Sequence, residues 1–272
     1  MLKKTRATIA ALAAVIVLSS LAGAAVAQQK PKIATLAEMP KTVLYVGNSF
    51  FYYNNSLHSH VLAMIRGADP QNAASHLATS ATISGSGMNW HNIDAYFNDG
   101  MASYTFDANN NVVPTKRDKK FDVVITMDCS QCPIHPQMGS IFAEQVAKQA
   151  ASIRKNGATP VLFMSWAYAD KPEMTAQLSE AYTKVANAND ALVIPVGLAF
   201  ERAIKQRPDL NLYIADKRHP SLAGSYLAAS TVFSSLYNRS PVGNAYRAGL
   251  DEATAIFLQT VAWETAQLYY KE

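Results

Sequence analysis

Five short apolar runs rich in β-branched residues, each leading into a helical pattern, constrain this chain more than any other feature. Thr42–Val46, His76–Ile83, Phe121–Met127, Pro160–Ser165 and Ala191–Pro195 read as strands. The helical stretches after them start near Ser56 and run over His91–Phe97, Gly139–Lys155, Pro172–Asn187 and Leu198–Gln206. Two more, Ser221–Tyr237 and Asp251–Tyr270, close the chain. Asn156-Gly157 ends the third of these helices in the usual way. Strand, loop, helix, repeated five times, predicts an α/β domain with a five-stranded parallel sheet. The strands are apolar throughout, so both faces of the sheet are expected to be covered. Met101–Lys120 breaks the rhythm. It carries Asp107–Asn111 between Ser103–Phe106 and Val112–Val113, which predicts an inserted hairpin or loop. There is no internal repeat and no sign of a second domain, so residues 41–272 read as one domain and 28–40 as a loose lead-in.

The first 27 residues read as an export signal. Lys3, Lys4 and Arg6 precede an apolar stretch from Ala7 to Leu21, and Ala25-Val26-Ala27 has the A-x-A cleavage pattern. A membrane anchor is the competing reading, but no basic residue follows the apolar stretch. Cleavage after Ala27 and a periplasmic or secreted location are expected. No later segment has eighteen consecutive apolar residues, so no membrane span is expected after cleavage. The formal charge of +4 leans on this leader: without its three basic residues the balance is 21 Lys and Arg against 20 Asp and Glu. A near-neutral body without a long basic run argues against nucleic acid as a partner.

Cys129 and Cys132 are the two cysteines, spaced C-x-x-C. Two cysteines cannot staple a domain of this size, although an oxidising compartment allows a local disulfide between them. A structural zinc site needs a second ligand pair that the sequence lacks, so no metal is expected. Gly85-Ser-Gly87-Met-Asn-Trp90 lacks the third glycine of a dinucleotide fingerprint, and no nucleotide cofactor is expected.

Open α/β sheets bind ligands beyond the carboxyl ends of their strands. There this chain has Gly47-Asn48-Ser49, Gly85, Ser130-Gln131 and, before a later helix, Asp216-Lys-Arg-His219. Together these supply the parts of an acyl-transfer site. A serine hydroxyl is a poor nucleophile at neutral pH and needs a base, for which His219 is the candidate. Asp216 can hold the other imidazole nitrogen. Backbone N–H groups of Ser49 and Gly85, with the Gln131 amide, can form an oxyanion hole. Each piece also has a plain structural reading: Gly-Asn-Ser is a common turn, and Asp-x-x-His before Pro220-Ser221 can be a capped helix start. Asn48, Tyr52, Tyr53, Trp90, His91 and Ser130 are candidate pocket residues, with helix capping or packing as the alternative. His58, His60, His76 and His135 read as surface or core histidines.

Val43-Leu-Tyr-Val-Gly-Asn-Ser-Phe50, Ile83-Ser-Gly85 and Asp216-x-x-His219-Pro220 resemble the sequence blocks of the SGNH (GDSL-like) hydrolases. A bacterial, exported branch of that superfamily is closer still. Its members are similar in Gly-Asn-Ser-Phe followed by Tyr-Tyr-Asn-Asn, in Trp90-His91, in Ser130-Gln131-x-Pro133 and in Arg207-Pro208-Asp-Leu-Asn-Leu212. The likeness spans residues 42–236. It implies a flavodoxin-like three-layer α/β/α fold and a serine hydrolase of esters. Ser49 would then be the nucleophile, His219 the base, Asp216 its partner and Gly85 an oxyanion donor. Two positions depart from the pattern. Asn48 stands where Gly-Asp-Ser has its acid, and Met127-Asp-Cys-Ser-Gln131 stands where a Gly-x-Asn-Asp block supplies an amide. The expected substrate is a small ester or an acylated glycan. Two other functions compete: a thiol–disulfide oxidoreductase using Cys129 and Cys132, and a glycan-binding domain of the same fold without catalysis.

Overall fold

The computed structural model describes residues 29–98, 103–106, 109, 111–115 and 121–271. The export signal and its cleavage position lie outside these residues. The strands in chain order are β1 (Thr42–Gly47), β2 (Leu77–Thr82), β3 (Ser103–Phe106), β4 (Val112–Thr115), β5 (Val123–Thr126), β6 (Thr159–Phe163) and β7 (Leu192–Ile194). Five of them form a parallel sheet in the order β2-β1-β5-β6-β7. β3 and β4 pair antiparallel as a separate hairpin within the segment that breaks the strand–helix rhythm.

Alternate residues of each strand serve two cores, because successive side chains point to opposite faces. Leu44, Val46 and Val124 pack with Ile93, Phe97 and Ile153 on one side. Val43, Tyr45, Val123 and Ile125 belong to the larger core on the other. The flanking helices are α1 (Ser49–Tyr52), α2 (Leu57–Ala68), α3 (Gly139–Lys155), α4 (Met174–Ala188), α5 (Val196–Gln206), α6 (Leu222–Tyr237) and α7 (Glu252–Lys271). α6 is buried continuously from Ala223 to Tyr237, enclosed by α2, α5 and α7. Its small and apolar residues suit a helix covered on all sides. A single large truncation there, Phe233→Ala, would cost about 3–5 kcal/mol. Among the described residues no helix is long and apolar enough to cross a membrane.

Two segments differ from the sequence expectation. The stretch after Gly47 forms the four-residue helix α1 at once, and His91–Phe97 is not one helix. Within it only Asp94–Phe97 is helical, as a 3-10 turn, and a second 3-10 turn, Met88–Trp90, precedes it. Seven residues are too few to nucleate a helix unaided. Here the imidazole of His91 is held by Ser86 and Tyr96 between the two turns.

The strand order puts β2 on one side of β1 and β5 on the other. The chain therefore leaves β1 in one direction and returns in the other, which opens a crevice beyond the carboxyl ends of β1 and β5.

Candidate active site

Ser49 enters this crevice as the first residue of α1. Gly47 allows the sharp exit from β1: a Cβ there would meet Met127 Cγ at 2.7 Å and the Phe51 ring at 2.9 Å. Asn48 caps the helix, its Oδ1 accepting from Phe50 N at 3.1 Å. Its Nδ2 donates to the carbonyls of Ser86 at 2.9 Å and Asp128 at 3.3 Å. One buried amide thus ties together the loops after β1, β2 and β5.

His219 arrives from the loop before α6, 170 residues away. Its Nε2 lies 2.8 Å from Ser49 Oγ and its Nδ1 2.5 Å from Asp216 Oδ2. Asp216 Oδ1 accepts the N–H groups of Arg218 and His219, both at 2.9 Å. Slight burial of Asp216 opposes ionisation, but the His219 bond and these two N–H donors outweigh it and bring the carboxyl down to about 2. Asp216 is therefore a carboxylate at any working pH. The loop is fixed from behind. Trp166 Nε1 donates to Arg218 O at 2.9 Å, and Trp166 is stacked between Phe50 and Phe200 with centroids 4.4 and 4.3 Å away. Lys217 adopts a left-handed conformation at φ 64°, and Ala169 N donates to its carbonyl at 3.0 Å. Tyr53 stacks on the His219 ring at 4.5 Å and 14°. Asn54, left-handed at φ 52°, donates to Pro220 O at 3.0 Å. The nucleophile's turn and the histidine's loop are thereby joined directly.

Gly85 follows β2 at φ 71°, a conformation glycine adopts without a Cβ penalty. It lines a cleft of about 320 Å³ together with Ser49, Tyr52, Ser130, Tyr168 and His219. Asn48, Tyr53, Ser84, Cys129 and Arg218 also reach this cleft. A larger cavity, about 520 Å³, lies at the amino ends of β1, β5 and β6, at the opposite edge of the sheet, and Ser49 does not line it.

Three of the oxyanion and pocket candidates are not among the residues lining the cleft. Gln131 is exposed, capping a 3-10 turn that begins at Cys132. Ser130, the residue before it, takes the cleft position and is hydrogen-bonded to Tyr168 OH at 2.6 Å. Trp90 is 61% exposed. His91 is buried. Its Nε2 lies 3.0 Å from Ser86 Oγ and its Nδ1 2.9 Å from Tyr96 OH. Ser86 gives its one hydroxyl proton to Gly47 O, so His91 must donate through Nε2 and accept through Nδ1. Burial pulls its pKa down, which agrees with a neutral ring. His91 braces the loop from beneath.

The sulfurs of Cys129 and Cys132 are bonded to each other. Among the described residues they form, with Asp128, the one grouping of metal-type ligands, and as a disulfide they offer no thiolate. Asp128 is a functional candidate that sequence reading missed. It is buried, and its Oδ1 accepts Met88 N at 2.9 Å and Cys129 N at 2.8 Å. Burial raises its pKa and the two N–H bonds hold it back. An acid directly after the apolar run of β5 was the available signal. Tyr168 and Arg218 were missed as well, since neither belongs to a motif of its own.

This arrangement is a hydroxyl, an imidazole and a carboxylate in one hydrogen-bonded line at the switch point of a parallel sheet. Several solved structures share its fold. A DUF4886 family protein from Bacteroides uniformis matches with a TM-score of 0.62 at 21% identity, over 85% of this chain and 96% of that one. A candidate SGNH hydrolase from Slackia heliotrinireducens matches with a TM-score of 0.53 at 22% identity, over 72% and 98%. A catalytic mutant of an acetylxylan esterase from Geobacillus stearothermophilus matches with a TM-score of 0.51 at 14% identity, over 72% and 94%. The chain thus has the SGNH-hydrolase fold. No family model matches the sequence, and no curated protein sequence matches it.

Proposed function

We propose that this chain is a serine hydrolase of ester bonds, with Ser49 as nucleophile, His219 as general base and Asp216 as its orienting partner. The observation that carries this reading is the continuous hydrogen-bonded line from Ser49 Oγ through His219 to Asp216, at 2.8 and 2.5 Å. His219 takes the Ser49 proton as Oγ attacks the ester carbonyl. Asp216 keeps Nδ1 protonated and stabilises the imidazolium. The developing oxyanion is met by backbone N–H groups of Ser49 and Gly85. Because Gln131 is exposed and outside the cleft lining, the hole is assigned to these backbone donors without it. His219 then protonates the leaving alcohol, and water repeats the sequence on the acyl-enzyme.

The tyrosines and serines of the cleft suit an acylated carbohydrate, and the acetylxylan esterase among the fold relatives supports that substrate class. Export through the leader, with cleavage after Ala27, belongs to the same reading, because such substrates lie outside the cell. A thiol–disulfide function would leave the Ser49–His219–Asp216 line without a role.

A fluorophosphonate probe and p-nitrophenyl acetate test the proposal. Wild type should be labelled and should release p-nitrophenol, and Ser49→Ala should do neither. Labelling that survives in Ser49→Ala would remove Ser49 from the role.

A further inference from the structure

The walls of the cleft differ in charge. Among the described residues that line it, Arg218 is the one cationic residue and none is a carboxylate. Among the described residues the Arg218 side chain has no ion-pair or hydrogen-bond partner. Both oxygens of the nearby Asp216 are already engaged by backbone N–H groups and by His219. The guanidinium instead lies 4.8 Å from the centroid of the Tyr168 ring. That ring is an anchored platform: Tyr168 is buried, and its hydroxyl is bonded to Ser130 Oγ at 2.6 Å. The Arg218 backbone is equally fixed, its carbonyl held by the fully buried Trp166. Stacking on an aromatic face leaves the planar N–H fork of an arginine free for a carboxylate. Arg218 is exposed to solvent at the cleft, and among the described residues its fork is not engaged by a carboxylate.

The chemistry fixes which part of the substrate this site meets. In the proposed reaction the oxyanion sits against the Ser49 and Gly85 N–H groups. The leaving oxygen must face His219 Nε2, which returns the proton to it. Arg218 precedes His219 in the chain and lines the same cleft, and we take it to flank the alcohol portion for that reason. We propose that Arg218, seated on Tyr168, recognises an anionic group on the alcohol portion, so that the preferred substrate is an acylated acidic sugar such as an O-acetylated uronic acid. This rests on the hydrolase reading of the same cleft.

Acetate release from an acetylated methyl glucuronoside and from its neutral 6-carboxamide tests it. Wild type should favour the carboxylate by about tenfold or more in kcat/KM, as a charge-assisted arginine contact implies. The preference should shrink as ionic strength rises. In Arg218→Gln the ratio should fall to near one. A ratio near one in wild type, or a preference that persists in Arg218→Gln, would overturn the proposal, and the wild-type ratio decides even if the variant folds poorly. Loss of all ester turnover, p-nitrophenyl acetate included, would count against the hydrolase reading alone. Calorimetric titration with methyl glucuronoside and methyl glucoside then decides the anion site. Binding that needs both the carboxylate and Arg218 supports it, and equal binding of the two sugars overturns it.

Discussion

Replacing Asn48 by Asp would recreate the Gly-Asp-Ser letters of the related sequence block, yet it should damage this protein. The Asn48 amide is buried, and its two ends face opposite partners. Oδ1 meets the Phe50 N–H, whereas Nδ2 meets two carbonyl oxygens, at 2.9 Å on Ser86 and 3.3 Å on Asp128. Asp keeps the first contact and puts a carboxylate oxygen against both carbonyls. The shorter bond is lost outright and the longer one was weak, so one full unsatisfied acceptor and a fraction of another remain. At about 1–3 kcal/mol for each buried unsatisfied group, the loss is about 3 kcal/mol at neutral pH. For a domain of this size that corresponds to a Tm lower by about 6–12 °C. The cost should depend on pH with a definite sign. Burial beside two carbonyls raises the folded-state pKa of the new carboxyl above its unfolded value of about 3.9. Below that value the acid is protonated in both states and can donate to Ser86 O, recovering most of the loss. As pH rises from about 4 through the raised folded pKa, the deficit grows to its full size. Asn48→Ala, with no charge to titrate, should carry a deficit that hardly moves with pH. Urea unfolding of wild type and both variants at pH 4.5 and pH 7.5 measures this. An Asn48→Asp protein as stable as wild type at pH 7.5, or with a larger deficit at the lower pH, would refute the reasoning.

His219→Ala should lose roughly three orders of magnitude or more in kcat, and Asp216→Asn no more than that, as in other triads; steady-state kinetics with p-nitrophenyl acetate would measure both. Asp216 is brought down to about 2, so its ionisation contributes stability that is fully present above the usual aspartate range and is lost progressively as pH falls from there through about 2. Urea unfolding between pH 5 and 2 should therefore show wild type losing this contribution as pH falls, and Asp216→Asn without that loss. Replacing Cys129 and Cys132 together by Ser opens a loop of four residues, whose closure is worth about 2 kcal/mol. A lower Tm with probe labelling of Ser49 retained is the expected outcome, and lost labelling in a folded protein would point to thiol chemistry. Gln131→Ala should leave kcat within a few-fold of wild type, because its side chain is exposed and does not line the cleft. A hundredfold fall in kcat at unchanged KM would restore it to the oxyanion hole.

How much of this was legible beforehand follows from what a linear pattern can encode. β1, β5, β6 and β7 could be read because they are covered on both faces, which leaves an apolar run, while the half-buried edge strand β2 was read from its β-branched residues; the ends differ from the reading by a few residues at most. α1 could not be read, since four residues are too few to show a 3.6-residue period, and it forms only because Asn48 caps it against three loops. That Ser49 would meet Asp216 and His219 was legible only in part from geometry: Ser49 follows β1 directly, whereas Asp216 and His219 lie in the loop before α6 and were singled out by their Asp-x-x-His spacing. A parallel sheet brings every strand's carboxyl end to one edge, so residues just past those ends are neighbours whatever their separation along the chain. Beyond that edge the backbone is irregular and periodicity is silent. Ser130 and Gln131 are adjacent, yet the turn closed by the Cys129–Cys132 bond directs Ser130 to Tyr168 and leaves Gln131 in solvent. Trp90 and His91 part in the same way, one exposed and one locked under the loop. Arg218 and Tyr168 are the sharper case. Their meeting depends on Trp166 gripping the Arg218 carbonyl from within a ring stack, a contact between two loops fifty residues apart that no local pattern announces. The edge of the sheet therefore fixes where the reaction is proposed to occur. The loops above it are proposed to govern what is admitted, and Arg218 is the residue of theirs whose removal should change preference among esters.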